Sequence, residues 1–185
     1  MKMMMKTLVA ALIAAGTLSA QAATVSLSGT ASAAVGQTFT LDVSLLQPFD
    51  GERAGDELLA FGMALSFDSS LLKLLGVSLA DGWSDDSAFT GLALSGSAFP
   101  GVADAGQTSL ALATLSFEVL GSGNTSVGVI SDSASDFNQG LLYAMAPTLD
   151  VQATHALALA VPEPGSYAMM LAGLGLLSLA VRRRG

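Results

Sequence analysis

Apolar and polar residues alternate with a period of two through most of the middle of the chain. Over residues 36–46, Phe39, Leu41, Val43 and Leu45 take one parity and Thr38, Thr40, Asp42 and Ser44 the other. That is the pattern of a strand with one face in a core and one in water. It returns at Phe61, Met63, Leu65 and Phe67, which alternate with Gly62, Ala64 and Ser66, and at Ala113, Leu115, Phe117 and Val119, which alternate with Thr114, Ser116 and Glu118. Shorter runs of strand character cover 24–27, 74–79, 89–94, 126–130, 141–144 and 149–159. Clusters of Gly, Asp, Ser and Asn, which tolerate turn geometries, lie between them. About nine strands, with no long amphipathic helix and no internal repeat, predict an all-β fold, a single antiparallel β-sandwich. Residues 47–57, where Pro48, Gly51 and Gly55 sit among charges, read as an exposed insertion and the place for disorder.

The two ends break this pattern. Lys2 and Lys6 precede a mostly apolar stretch over 7–18, and Ala20-Gln21-Ala22 is a small-x-small processing site. A secretory signal peptide over 1–22, cut after Ala22, is the reading; a permanent N-terminal membrane helix would be longer and need no such site. At the other end come Val161-Pro162-Glu163-Pro164, an uncharged run over 167–181, and then Arg182-Arg183-Arg184. Closely spaced prolines end the preceding fold. Fifteen helical residues rise only about 22 Å against a hydrocarbon core of roughly 30 Å, so this transmembrane helix would span with its flanks drawn in. The arginines stay cytoplasmic by the positive-inside rule, which leaves everything before Pro162 outside.

The order of a Val-Pro-Glu-Pro motif, a short apolar segment and a terminal arginine cluster resembles the PEP-CTERM sorting signal of Gram-negative bacteria. The resemblance covers about 25 residues, and all three parts stand in order. It implies an exported protein that is held at the inner membrane with its domain in the periplasm. An integral-membrane exosortase then processes it, and the protein passes to the cell envelope or the extracellular matrix, often in species that make exopolysaccharide. The plainer alternative is an unprocessed C-terminal anchor. The organisation expected is therefore a signal peptide at 1–22, removed by signal peptidase, a domain at 23–160, and a sorting segment at 161–185.

Removing the ends changes the charge picture. Within 23–161 only Arg53 and Lys73 face fourteen acids, so two positive charges against fourteen negative give a net of −12. Nucleic acid is excluded as a partner, because neutralising phosphates needs Lys and Arg that are absent here. The chain has no cysteine, so no disulfide, thiolate ligand or thiol nucleophile is available.

Three blocks of the domain resemble cohesin modules. Val35-Gly36-Gln37-Thr38-Phe39-Thr40-Leu41-Asp42-Val43 looks like their opening strand. The stretch from Leu59 through Phe67-Asp68-Ser69-Ser70-Leu71-Leu72 resembles a strand ending in an aromatic-Asp-x-Ser-x-Leu turn. Leu112 to Val119 is similar to a strand two-thirds along the module. The resemblance implies a cohesin-like jelly roll. In its turn, Asp68 is placed to cap a one-turn helix over 69–72 while Leu71 or Leu72 folds onto the core. Cohesins grip a calcium-loaded dockerin through one sheet face; no residue of that interface matches here.

Residues fit for chemistry are few. His155 is the only histidine, and no Gly-x-Ser-x-Gly elbow supplies a nucleophile for it. Asp132, Asp136 and Asn138, ahead of Gly140, offer three oxygens in one short stretch that would suit calcium; an acidic turn between strands is the plainer alternative. Trp83, between Asp81 and Asp85-Asp86, is a candidate glycan contact by stacking on a sugar ring, with a core position as the alternative. The reading is a non-enzymatic binding or structural domain that contacts polysaccharide or a protein partner. The alternative is an enzyme acting on matrix polysaccharide through the acidic loops, including Asp85 and Asp136.

Overall fold

The period-two runs become the strands of a β-sandwich in a computed structural model that describes residues 23–161. The signal segment at 1–22 with its Ala20 and Ala22 site, and the sorting segment from Pro162 through Glu163, Pro164 and Arg182 to Arg184, lie outside the described residues. In chain order the strands are β1 (Thr24–Gly29), β2 (Ser32–Ala34), β3 (Thr38–Leu46), β4 (Glu57–Phe67), β5 (Leu72–Leu79), β6 (Ser84–Asp85), β7 (Leu94–Ala103), β8 (Ser109–Val119), β9 (Gly123–Ile130), β10 (Gly140–Tyr143) and β11 (Gln152–Ala160). A four-stranded sheet runs β1-β3-β8-β5. The larger sheet runs β2-β11-β9-β4-β7-β6, with β10 added to β4. Strand β4 is long enough to pair with β9 over its second half and with β10 over its first.

The alternation read in the sequence sets the core. Leu41, Val43, Leu45, Leu115 and Phe117 of the small sheet are buried against Phe61, Met63, Val127 and Val129 of the large one. Phe117 lies between two rings: Phe39 stacks at 5.6 Å and Phe67 meets it edge-on at 5.3 Å. The opposite parity of the small sheet is polar, and there the Thr114 hydroxyl donates to Asp42 at 2.8 Å.

At the end of β4, Asp68 accepts hydrogen bonds from the Ser70 amide at 2.9 Å and the Ser70 hydroxyl at 2.6 Å. These bonds hold its carboxyl below the usual carboxylate range. The Leu71 and Leu72 amides both donate to the Asp68 carbonyl. They close one turn, shorter than the one-turn helix read from the sequence, that delivers Leu72 fully buried to the core.

Four expectations need correction. There are eleven strands rather than about nine, and the sandwich is not wholly antiparallel, since β2 pairs with β11 in parallel. Residues 89–94 are not a strand. Asp85 accepts the Ser87 amide at 2.8 Å, a short helix α1 (Ser87–Thr90) follows, and Gly91 ends it in the left-handed region with φ 72°. Local capping there outweighs the apolar pattern. The neighbouring strand begins only at Leu94 and was hidden by Gly96, Ser97 and Pro100. It is admitted because the register against β4 slips between Leu58 and Ala60, so the Phe99-Pro100 stretch bulges where no ladder bond is required.

The fourth correction concerns residues 47–57, which are tied into the fold. The Tyr143 hydroxyl donates to the Pro48 carbonyl, and Phe49 packs edge-on to the Tyr143 ring at 6.1 Å. Burial, followed by the nearby charges of Glu52 and Asp56, raises the Tyr143 phenol above its ordinary value, so it stays a donor. Asp56 is completely buried and accepts the amides of Glu57 at 2.8 Å and Met145 at 2.9 Å. That carboxylate fastens the start of β4 to the segment leaving β10.

Three substitutions check this packing. Phe117→Ala should cost about 3–5 kcal/mol in denaturant unfolding, whereas Ser116→Ala beside it should stay within about 0.5 kcal/mol. Asp56→Ala, which leaves two part-buried amides without their acceptor, should cost about 1–3 kcal/mol.

Candidate functional site

Because side chains alternate across a strand, burying Phe61 and Met63 turns Ala60, Gly62, Ala64 and Ser66 to the outer face of the large sheet. These are small residues, and they leave room for the connections that cross them. A Cβ at Gly62 would sit 1.9 Å from the Asn138 carbonyl oxygen and 3.1 Å from the Leu92 side chain. Two loops therefore close over the same glycine, one entering β7 and the other joining β9 to β10. Between them lies a pocket of about 270 Å³ whose lining includes Ala60, Asp86, Thr90, Ser95, Phe137 and Leu142.

Two apolar side chains that line it, and Phe89 next to the lining Thr90, are unusually bare. Phe89 of α1 is 90% exposed, Phe137 of the β9–β10 loop is 89% exposed, and Leu142 of β10 is 45% exposed. Isolated exposed apolar residues need no explanation, but Phe137 and Leu142 lining one concave surface point to a place where something binds.

The β9–β10 loop is held by its own polar groups and by Asp150 of the β10–β11 connection. Asp150 accepts the Ser133 amide at 2.8 Å, the Ser133 hydroxyl at 2.9 Å and the Ser131 hydroxyl at 3.2 Å. The Val151 amide donates back to the Ser131 hydroxyl at 2.8 Å. These bonds, the Ser133 amide foremost, lower the Asp150 carboxyl below its ordinary value. Asp132 accepts the Ser135 amide and hydroxyl at 3.2 and 2.7 Å. Asp136 accepts the Asn138 backbone and side-chain amides at 2.9 and 3.0 Å. Asp132, Asp136 and Asn138 are thus brought into one loop, where each carboxylate is engaged by turn donors. Among the described residues no three His, Cys, Asp or Glu side chains converge on a point that would hold a metal ion.

Trp83 packs edge-on to Phe61 at 4.9 Å, and its indole N–H donates to the Ala111 carbonyl at 3.2 Å. It braces the ring beneath the pocket. His155 lies elsewhere, with Nε2 2.9 Å from the Thr30 carbonyl oxygen. A larger depression of about 600 Å³ at Ser66, Asn124 and Ser126 is open and polar. Three residues central to the site escaped sequence reading. Phe89 and Phe137 look like core residues in a linear pattern, and Asp150 meets partners seventeen and more residues away.

The architecture is that of a cohesin-like β-sandwich. It resembles a cohesin module from the family 33 glycoside hydrolase of Clostridium perfringens with a TM-score of 0.55 and 9% identity, covering 76% of this chain and 98% of that one. At that identity the likeness speaks for the fold. The chain carries a PEP-CTERM protein-sorting motif over residues 160–184. It includes Pro162, Glu163, Pro164 and the arginines, directly after the last described strand. No curated protein shows significant sequence similarity to the chain. Among the described residues no helix is long and apolar enough to cross a membrane.

Gly62→Ala should loosen the β9–β10 loop at a local cost of about 1–3 kcal/mol. Hydrogen exchange at residues 135–139 should then quicken by roughly ten- to a hundred-fold, with exchange in β3 and β8 unchanged. Acid should act on the same loop through Asp150. Its folded-state pKa is depressed, so the stability its bonds contribute is fully present above the ordinary value of 3.8 and is lost as pH falls through the lower folded value. Exchange at Ser133 and Val151 should be slow above 3.8 and quicken progressively as pH falls from there through the lower folded value, and Asp150→Asn should remove that step.

Proposed function

We propose that this is an exported protein whose β-sandwich is a non-enzymatic binding module, displayed at the cell envelope or in the extracellular matrix. Its signal peptide, residues 1–22, is removed by signal peptidase. Residues 161–185 hold it by a transmembrane helix at the inner membrane until an exosortase processes the motif. The sandwich, residues 23–160, then contacts a protein partner through the outer face of the large sheet. Phe137, which lines the Gly62 pocket, and Phe89, next to the lining Thr90, carry this reading. Two phenylalanines about nine-tenths exposed on the loops that flank a concave face favour an apolar segment of another protein. A flat polysaccharide is less favoured, because Trp83 is engaged with Phe61 and Ala111. The cohesin-like fold supports the same choice, as a scaffold that presents a sheet face to a partner.

A peptide-display selection and a glycan array on the processed domain test it. The selected peptides should be rich in apolar residues and lose about tenfold or more in affinity to a Phe89→Ser/Phe137→Ser variant, the effect of removing hot-spot side chains. Glycan binding untouched by that variant would instead favour polysaccharide. Hydrolysis of a matrix polymer abolished by Asp85→Ala or Asp136→Ala would refute the non-enzymatic reading.

A further inference from the structure

The sandwich has two unlike ends, and the chain leaves it at a defined one. β11 runs toward Ala160, whose carbonyl accepts the Val35 amide at 2.9 Å, so the sorting segment departs beside the 35–37 turn. The register of β9 against β11 and of β5 against β8 places the 68–71 and 120–122 turns at that same end. β1 begins opposite the end of β3, with Thr24 across from Leu46, so the chain enters the fold at the far end.

Charge follows this axis. Of the fourteen acids in the described domain, only Asp68 and Glu118 lie in the half nearest the exit. Glu118 stands 3.8 Å from Lys73, and Asp42 lies midway along β3. The other eleven, with Arg53 as the single counter-charge, occupy the far half in the loops around Glu57, Asp86, Asp104, Asp132 and Asp150. β11 alone carries the chain about 30 Å along this axis, well beyond a Debye length of about 8 Å.

Several backbone groups at the exit end are paired, and two apolar side chains are bare there among the exposed Gln37, Asp68, Ser69, Ser70 and Ser122. The Leu71 carbonyl accepts the Leu120 amide at 2.8 Å and the Gly121 amide at 3.3 Å. The Gly36 amide donates to Val119, and the Val119 amide to Gln37, each at 2.9 Å. Leu120 is 45% and Val161 62% exposed.

We infer that this end of the sandwich is a lipid-facing surface, and that the charge polarity of the domain holds it upright on an anionic bilayer. The inference rests on the reading of residues 161–185 as a membrane anchor. Any other face turned to anionic headgroups brings part of the eleven-acid half within screening range of like charge. The exit end meets lipid with paired backbone groups and only two acids, Glu118 beside Lys73 and Asp68 bonded to Ser70. The Gly62 pocket, Phe89 and Phe137 lie in the far half of the large sheet, so the upright orientation presents them outward.

The chain has no cysteine, so Ser122→Cys at the exit end and Ala105→Cys at the far end each give one labelling site. The full chain, dye-labelled and reconstituted in vesicles with nitroxide headgroups, should show several-fold stronger quenching at 122 than at 105 when the lipid is rich in phosphatidylglycerol and salt is about 10 mM. That ratio should fall at least twofold in phosphatidylcholine vesicles, and likewise at about 1 M salt, where the Debye length shrinks to about 3 Å. A ratio that ignores lipid charge and salt, or that favours 105, overturns the orientation while leaving the anchor intact. Failure of the full chain to float with either kind of vesicle overturns the anchor and the orientation together.

Discussion

The structure depends on what β4 must do on its two faces at once. Its inward residues Phe61 and Met63 fill the core, and the alternation that sends them inward obliges the residues between them to face out. At Gly62 the Asn138 carbonyl comes too close for any side chain. The constraint is therefore steric and local, yet its consequence is wide. A bare strand centre lets two loops settle over the sheet, and the settled loops lift Phe89 and Phe137 into solvent beside a pocket that packed side chains would otherwise have filled.

The site's rigidity comes from polar groups rather than from apolar packing. Asp150 of the β10–β11 connection gathers Ser131 and Ser133, while Asp132 and Asp136 each close a turn, so the β9–β10 loop is held both from within and from its neighbour. A preorganised loop loses less freedom when a partner arrives, which lets a small exposed apolar area contribute to binding. The aromatic support beneath is equally fixed, with Trp83 held against Phe61 by ring contact and by the Ala111 carbonyl. Acidity, which first reads as a catalytic or metal-binding opportunity, is spent in the described loops largely on capping turns.

Much of the fold was legible in the sequence. Strands whose inner face meets a continuous core, such as β3, β4 and β8, announce themselves by alternation. The Asp68 turn was readable because an Asp and a Ser two residues apart satisfy each other locally. β7 was not readable, because its Gly96 and Ser97 carry little apolar signal and its Pro100 is tolerated only through a register slip set by β4. The 89–94 run misled, since the Asp85 turn onto the Ser87 amide and the left-handed Gly91 act below the level of hydropathy. The site was less legible still. Gly62 looks like any small residue on a polar parity until Asn138 is placed above it, and whether a phenylalanine is core or bare depends on contacts far apart in the chain. The sorting motif was plain because its three parts are contiguous.

Site and address fit together, since the loops bearing Phe89 and Phe137 belong to the half of the sandwich away from the point where the sorting segment departs. The most direct measurement is site-specific photocrosslinking in cells that produce the protein, with a photoreactive phenylalanine analogue in place of Phe137 or of Ser116 on the outer face of the small sheet. A discrete protein adduct at position 137 and none at 116 is what the account predicts. Equal labelling at both positions, or an adduct at 116 alone, would contradict it.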